Sequence, residues 1–342
     1  MLFDSSLTKL WSLSSQKLLD WYQDQPPLPW RESLQPYGVW ISEVMLQQTT
    51  VPTVKGYYQK FLDTFPTLQD LAAASLDQVL TVWQGLGYYR RAHHLHRCAQ
   101  ILVQNYKGQF PQDIKTLRSL PGFGEYTTAA VASICFQKPH LAVDGNIRRV
   151  LTRYGGKEAS DHQLRSTWST LLDSQAGAIN QALMDIGRTL CRPQKVQCSL
   201  CPLQNECQNP MWRPKSRTST KQNRWGHVFL IPDPQGRMAV RHNHRRSLLK
   251  GMVGFPTTLW LADSSTYQTP PCAQFYHKLP IPITHIFTHV FLTLHVWIRR
   301  RPIKSVSSTY TWIAYDERQS YPFSSLMKKL FVHWQDQISS TP

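Results

Sequence analysis

Four cysteines within seventeen residues constrain this chain more than any other feature. Cys191, Cys198, Cys201 and Cys207 follow the spacing C-x6-C-x2-C-x5-C. Thiolates this close usually converge on an inorganic centre. The spacing is not a pair of C-x2-C knuckles, so a four-iron cluster suits it better than zinc. Cys98, Cys135 and Cys272 are scattered and need no partner. A disulfide framework belongs to small secreted domains. This chain has 342 residues, and its first residues, MLFDSSLTKLW, carry no apolar leader, so no signal peptide is expected.

Charge narrows the partner. The sequence holds 38 Lys and Arg against 21 Asp and Glu, a formal net charge of +17. Such an excess points to a polyanion, most simply nucleic acid. No run of eighteen apolar residues occurs, so no membrane span is expected. Unpaired cysteines fit a reducing, cytoplasmic location.

Periodicity divides the chain in two. Residues 1–210 read as helical, with short Gly- and Pro-containing loops. Tyr37, Trp40, Ile41, Val44 and Met45 form one apolar helical face beginning at Pro36. Residues 67–84 and 90–105 repeat the pattern. Residues 211–224 hold five basic residues and no acid, and read as an interdomain linker. Residues 225–342 alternate as strands do, at His227–Ile231, Arg237–Val240, Phe287–Ile298 and Tyr310–Ala314. A closing amphipathic helix is expected over 324–335.

Two local patterns carry chemistry. Leu120-Pro-Gly-Phe-Gly-Glu-Tyr-Thr-Thr precedes an apolar helical run. Gly122 and Gly124 permit a tight turn and close approach of another molecule, and the helix behind them offers free N–H groups to a phosphate. This is the form of a helix-hairpin-helix DNA contact, although glycine turns between helices also serve packing alone. Downstream, Asp144 follows an apolar triplet and precedes Gly145 and Asn146. The local sequence reads as a helix cap as readily as a functional carboxylate.

Taken together, the hairpin, Asp144 and the cysteine loop resemble the helix-hairpin-helix DNA glycosylases. Leu28-Pro-Trp-Arg31, Val39-Trp-Ile-Ser-Glu-Val-Met-Leu-Gln-Gln-Thr49, Gly85-Leu-Gly-Tyr-Tyr89 and Val143-Asp-Gly-Asn-Ile-Arg148 look like the adenine DNA glycosylase family, MutY. The resemblance implies an all-α glycosylase domain over 1–210 with a 4Fe-4S loop at 191–207. It implies an α+β MutT-like (nudix-fold) domain over 225–342. The expected activity is removal of adenine mispaired with 8-oxoguanine or guanine in double-stranded DNA, the first step of base excision repair, by a monomer.

The resemblance also assigns residues. Glu43 becomes the general acid, whereas its helical position alone, about 60° beyond the apolar stripe, reads as a solvated glutamate. Asp144 becomes the ionised partner of the cationic sugar, oriented by Asn146. Tyr126 occupies the place where strand-cutting relatives carry a lysine, and a phenol cannot form an imine. A monofunctional enzyme is therefore expected. Trp30, Arg31, Leu46, Gln48, Thr49 and Tyr88 match residues at the flipped base or in the wedge. Asp185 falls where the family has a carboxylate for the adenine amino group. Arg188 departs from the small residue expected there. Phe287, Thr288 and His289 stand where the family usually reads Phe-Ser-His to recognise 8-oxoguanine. The nudix hydrolase box is absent, so no pyrophosphatase activity is expected. Two other readings are an oxidised-pyrimidine glycosylase and AP lyase of the endonuclease III type, and a non-enzymatic iron–sulfur DNA regulator. Tyr126 and the second domain argue against the first, and the Glu43–Asp144 pair in its family context argues against the second.

Overall fold

The computed structural model describes residues 5–213, 221–243, 249–262 and 273–339. Cys272 and the middle of the basic segment at 211–224 lie outside the described residues. The chain forms two compact units. The first joins Met1–Ala73 with His94–Ser216, and the second joins Ala74–His93 with Arg217–Pro342. Among the described residues no helix is long and apolar enough to cross a membrane.

The first unit is helical. Its N-terminal helices are α1 (Ser5–Gln23), α2 (Pro36–Leu46), α3 (Val51–Thr64) and α4 (Leu68–Ala73). Helix α5 (Leu76–Val82) belongs to the second unit, as does the first turn of α6 (Arg90–Tyr106). Then come α7 (Ile114–Ser119), α8 (Glu125–Phe136), α9 (Gly145–Gly155), α10 (Asp161–Trp168) and α11 (Ala176–Thr189). The helix expected over 67–84 is two helices. Ser75 begins the second with a capping box to Gln78, which ends the first.

Helix α8 lies at the centre. Every residue from Thr127 to Ile134 is buried, as befits a helix that is apolar all round. Ala129 and Ala130 pack against Val39 of α2, and such small side chains keep the interhelical distance short. A second cluster joins α1, α9, α10 and α11, with Trp11 set edge-on to Trp168 at 4.9 Å and to Tyr154 at 5.7 Å. Between α8 and α9, the buried Asn180 of α11 pins the connecting segment. Its Oδ1 accepts from Ala142 N at 2.8 Å and its Nδ2 donates to His140 O at 2.9 Å. This fixes the backbone just ahead of Asp144.

Among the described residues the second unit has a four-stranded and a three-stranded sheet. The strands are β1 (Gln222–Leu230), β2 (Met238–His242), β3 (Val253–Gly254), β4 (Tyr276–Lys278), β5 (Ile283–Ile286), β6 (Val290–Arg299) and β7 (Thr311–Ile313). β6 pairs parallel with β1, from Gln222↔Val290 to Leu230↔Ile298, and antiparallel with β4 and β5. β2 pairs antiparallel with β3 and β7. The strand expected to begin at Phe287 begins at Val290. Phe287 N donates to Val290 O at 2.8 Å, closing a turn between β5 and β6. The closing helix is likewise two, α12 (Ser325–Lys328) and α13 (Phe331–Ser339), the first capped by Ser324. Residues 74–93 join this unit through named contacts. Gln84 Nε2 donates to Tyr321 O at 2.7 Å, and a His93 ring nitrogen meets Lys250 O at 2.9 Å.

Candidate active site

Glu43 sits in the last turns of α2 and is only 4% exposed. The surface placement that its helical angle suggests is overridden by the packing of α8 on α2. Tyr126, in the first turn of α8, donates from Oη to Glu43 Oε2 at 2.6 Å. Burial raises the Glu43 carboxyl above its ordinary value. The Tyr126 hydrogen bond and the Arg31 charge oppose that rise, and the Asp144 charge adds to it. Burial also holds the Tyr126 phenol well above its ordinary range, with Glu43 and Asp144 contributing. Met184 Sδ, from α11, lies 3.9 Å from the same hydroxyl.

Asp144 caps α9. Its Oδ1 accepts from Ile147 N at 2.7 Å, and Asn146 Nδ2 donates to its Oδ2 at 3.0 Å. The cap that the local sequence suggests is made, and the capping carboxylate lies close enough for its charge to act on Glu43. Burial raises its carboxyl, while the amides of Ile147 and Asn146, the Asn146 side chain and the Arg149 charge pull it back.

Behind Asn146 stands Arg149, which sequence reasoning missed. Its Nη2 donates to Asn146 Oδ1 at 2.9 Å and to Gly187 O at 2.7 Å, and its Nε to Cys191 O at 2.7 Å. Gly187 was missed as well. A Cβ there would lie 2.5 Å from Asn146 Cβ, so only glycine lets α11 approach α9 this closely. The i, i+4 spacing of Arg149 and Arg153 on α9 was the one available sequence signal.

Arg31 and Asp185 form a two-pronged ion pair, Nη1 to Oδ2 at 2.5 Å and Nη2 to Oδ1 at 3.2 Å. Arg188 adds a donor to Oδ1 at 3.2 Å, which is where the unexpected long cation goes. Asp185 is thus an acceptor already held by two guanidinium groups. The Arg31 guanidinium also lies over the Tyr22 ring at 5.3 Å. Trp30 is buried, edge-on to Tyr58 at 5.6 Å.

At the end of α2, Leu46 and Thr49 are half-buried and Gln48 is exposed with φ +60°. Gln47, not anticipated, donates to Thr127 Oγ1 at 3.0 Å and ties this end to α8. In the hairpin, Gly122 has φ +84°, a conformation that favours glycine. Gly124 is exposed, and a Cβ there would meet nothing within 4 Å.

In the second unit, Tyr88 (φ +48°) shares a 2.6 Å hydrogen bond between its Oη and Thr288 Oγ1. Phe287 stacks on Trp260 at 5.7 Å and meets His285 edge-on at 4.6 Å. His289 is exposed.

The four cysteines line one pocket of about 250 Å³ with Arg153, Leu190, Gln204 and Pro210. The loop folds inward through short turns, Cys201 N to Cys198 O at 2.9 Å and Cys207 N to Gln204 O at 3.2 Å. Among the described residues no group of three or more His, Cys, Asp or Glu is gathered as a single-ion site. Arg192 and Lys195 are exposed on the loop. Cys98 and Cys135 stand apart, with thiols pushed up to about 12 by burial.

Residues 41–171 match the HhH-GPD superfamily base excision DNA repair protein, and residues 227–333 match the NUDIX domain. Fold and site thus define a base excision repair glycosylase, an N-glycosylase that acts on DNA. The adenine DNA glycosylase of Mus musculus is 31% identical over 404 aligned residues, covering 95% of this chain and 78% of that one. That of Buchnera aphidicola subsp. Baizongia pistaciae is 37% identical over 325, covering 88% and 90%. The chain belongs to the adenine DNA glycosylase family. Among solved structures, a thermostable thymine-DNA glycosylase is 30% identical with a TM-score of 0.55, over 60% of this chain and 97% of that one. Endonuclease III in a non-covalent DNA complex shares the fold at 23% identity and a TM-score of 0.52, over 59% of this chain and 96% of that one.

Proposed function

We propose that this enzyme releases adenine paired with 8-oxoguanine or guanine in double-stranded DNA, acts as a monomer, and leaves an abasic site without cutting the strand. The observation that carries the reading is the Glu43–Tyr126 hydrogen bond of 2.6 Å beside the capped Asp144. Breaking the glycosidic bond needs a proton on the leaving base and negative charge near the sugar. Glu43 is the acid. Tyr126 occupies its Oε2, which leaves Oε1 for the proton, and burial favours the protonated form. Asp144 supplies the negative charge, held by its two hydrogen bonds. Splitting roles between two carboxylates in different surroundings is an established enzymatic device. No lysine stands at Tyr126, so no imine forms and the strand survives.

The duplex is engaged at the hairpin. Gly124 needs neither a positive φ nor space within the protein, so its lack of a side chain serves approach from outside. A phosphate on the amides that begin α8, which have no partner within the helix, makes that approach. The target base is flipped towards Glu43, with Trp30 and Arg31 beside it. Leu46, Gln48, Thr49 and Tyr88 fill or probe the gap. Phe287, Thr288 and His289 read the oxidised guanine. Asp185 keeps one free lone pair, on Oδ2, for the adenine amino group.

The cysteine pocket holds a 4Fe-4S cluster. Four thiolates around one zinc ion sit about 3.8 Å apart and leave no void. Here they surround about 250 Å³, space for a polynuclear core. Cys191, Cys198, Cys201 and Cys207 are its ligands. Bound, it orders the loop that carries Arg192 and Lys195 towards the DNA backbone, and it takes no part in bond breaking.

The test is base release from duplexes with adenine opposite 8-oxoguanine, guanine, cytosine or thymine, with and without alkali. The expected result is release mainly from the first two, with breaks only after alkali. Prompt strand cleavage with a borohydride-trapped adduct would overturn the proposal, as would intact adenine in every duplex.

A further inference from the structure

Arg153 is 1% exposed, yet no carboxylate among the described residues pairs with it. Its Nε donates to Trp212 O at 3.0 Å. Nη1 donates to Cys191 Sγ at 3.1 Å and Arg192 O at 2.9 Å, and Nη2 to Pro193 O at 3.2 Å. The acceptors are three neutral carbonyls and one cysteine sulfur. Glu206, the carboxylate of the cysteine loop, is engaged with Lys17 at 2.8 Å. One turn earlier on α9 lies a second buried cation, Arg149. Like charges at this spacing repel. Arg149 reaches the negative charge of Asp144 through Asn146. Arg153 has no such outlet.

An uncompensated buried charge is among the costliest groups a fold can hold. The site must supply an anion, and the groups at hand are the cysteine thiolates. We infer that Arg153 is the built-in counter-ion of the iron–sulfur cluster, a positioning residue that offsets its thiolate charge and sets its reduction potential. The inference rests on the cluster reading above. The same guanidinium fastens the loop at residues 192 and 193, just after its first cysteine, and at 212, beyond its last. The main chain of α9 adds to this, since Gln208 N donates to Tyr154 O at 3.1 Å and Asn209 N to Arg153 O at 2.8 Å. Charge and hydrogen bonds at cluster sulfurs are the protein's levers on potential.

The experiment compares the parental protein, purified with its iron, with Arg153→Met and Arg153→Lys. Iron and sulfide per chain, loss of visible absorbance under chelator, and midpoint potential by voltammetry are measured. Methionine fills similar space without charge. Its expected effect is a shift to more negative potential, because adding an electron is no longer favoured by the nearby cation, and loss of the cluster roughly tenfold faster. Lysine keeps the charge but not the fork, so its expected effect is a near-parental potential with faster loss. Parental potential and parental loss in Arg153→Met would overturn the inference and leave the cluster standing. A parental protein without iron would overturn the cluster reading and this inference together. Should Arg153→Met not accumulate folded, Arg153→Lys decides, and an unchanged rate of loss would overturn the inference.

Discussion

Replacing Gly187 by alanine tests whether the geometry behind Asp144 controls the chemistry. The new Cβ would lie 2.5 Å from Asn146 Cβ, 3.1 Å from its Cα and 3.2 Å from its Cγ. Ordinary contact begins near 3.4 Å, so α9 or Asn146 must yield by 3.4 − 2.5 = 0.9 Å. Asn146 cannot yield alone, because it donates to Asp144 Oδ2 and accepts from Arg149. Displacing a catalytic group by that much costs about 10²-fold in rate, or about 2.7 kcal/mol of barrier. Overpacking adds about 1–3 kcal/mol of destabilisation. Single-turnover adenine release and thermal melting on the same preparation separate the two effects. Asn146→Gly supplies the control. It removes the Cβ that clashes, so adding Gly187→Ala to it should cost little further rate, a coupling that independent sites do not show. A parental rate from folded Gly187→Ala protein would refute the reasoning.

Glu43→Gln should lower base release by about 10²–10⁴-fold while duplex binding persists, as gel-shift and single-turnover assays together would report. The same variant should be more stable than the parent at neutral pH. The folded-state pKa of Glu43 is raised, so its contribution is favourable in acid, below the ordinary value of 4.5, and is lost as pH rises through the folded value. Gln pays no such penalty, so the stability gap should close on acidification, and a pH-independent gap in melting curves would count against the buried acid. Thr288→Val removes the hydroxyl partner of Tyr88. It should narrow the preference for 8-oxoguanine over guanine opposite adenine with little change in the chemical step, and an unchanged preference ratio would remove Thr288 from recognition.

Local sequence and long-range packing divide the legible from the illegible here. The cysteine spacing, the glycine turn and the apolar face at Pro36 are local patterns, and each stands in the structure as a loop, a turn and a helix. Ser75 and Gln78 form a capping box that was readable in the sequence, yet the apolar periodicity on both sides of it concealed the break. The turn at Phe287–Val290 was hidden because turn residues with β-propensity extend a strand pattern. Glu43 was the hardest case. Its angle on α2 lies outside the apolar stripe, and its burial depends on packing with α8, some eighty residues later in the chain. Gly187, Arg149 and Arg153 carry no motif, since their meaning lies in what α11 and the cysteine loop bring against α9.

On the proposed function, Asp144 does two jobs with one side chain: it caps α9 and it supplies charge at the sugar. A helix cap of this kind is worth about 1 kcal/mol, so a chain that lost the carboxylate for alanine would advertise the damage by unfolding more easily. Asparagine caps as well as aspartate, and such a chain would keep its shape and its grip on DNA. It would sit on mispairs as an inert occupant, shielding them from any working copy. The hazardous changes at this position are therefore the conservative ones.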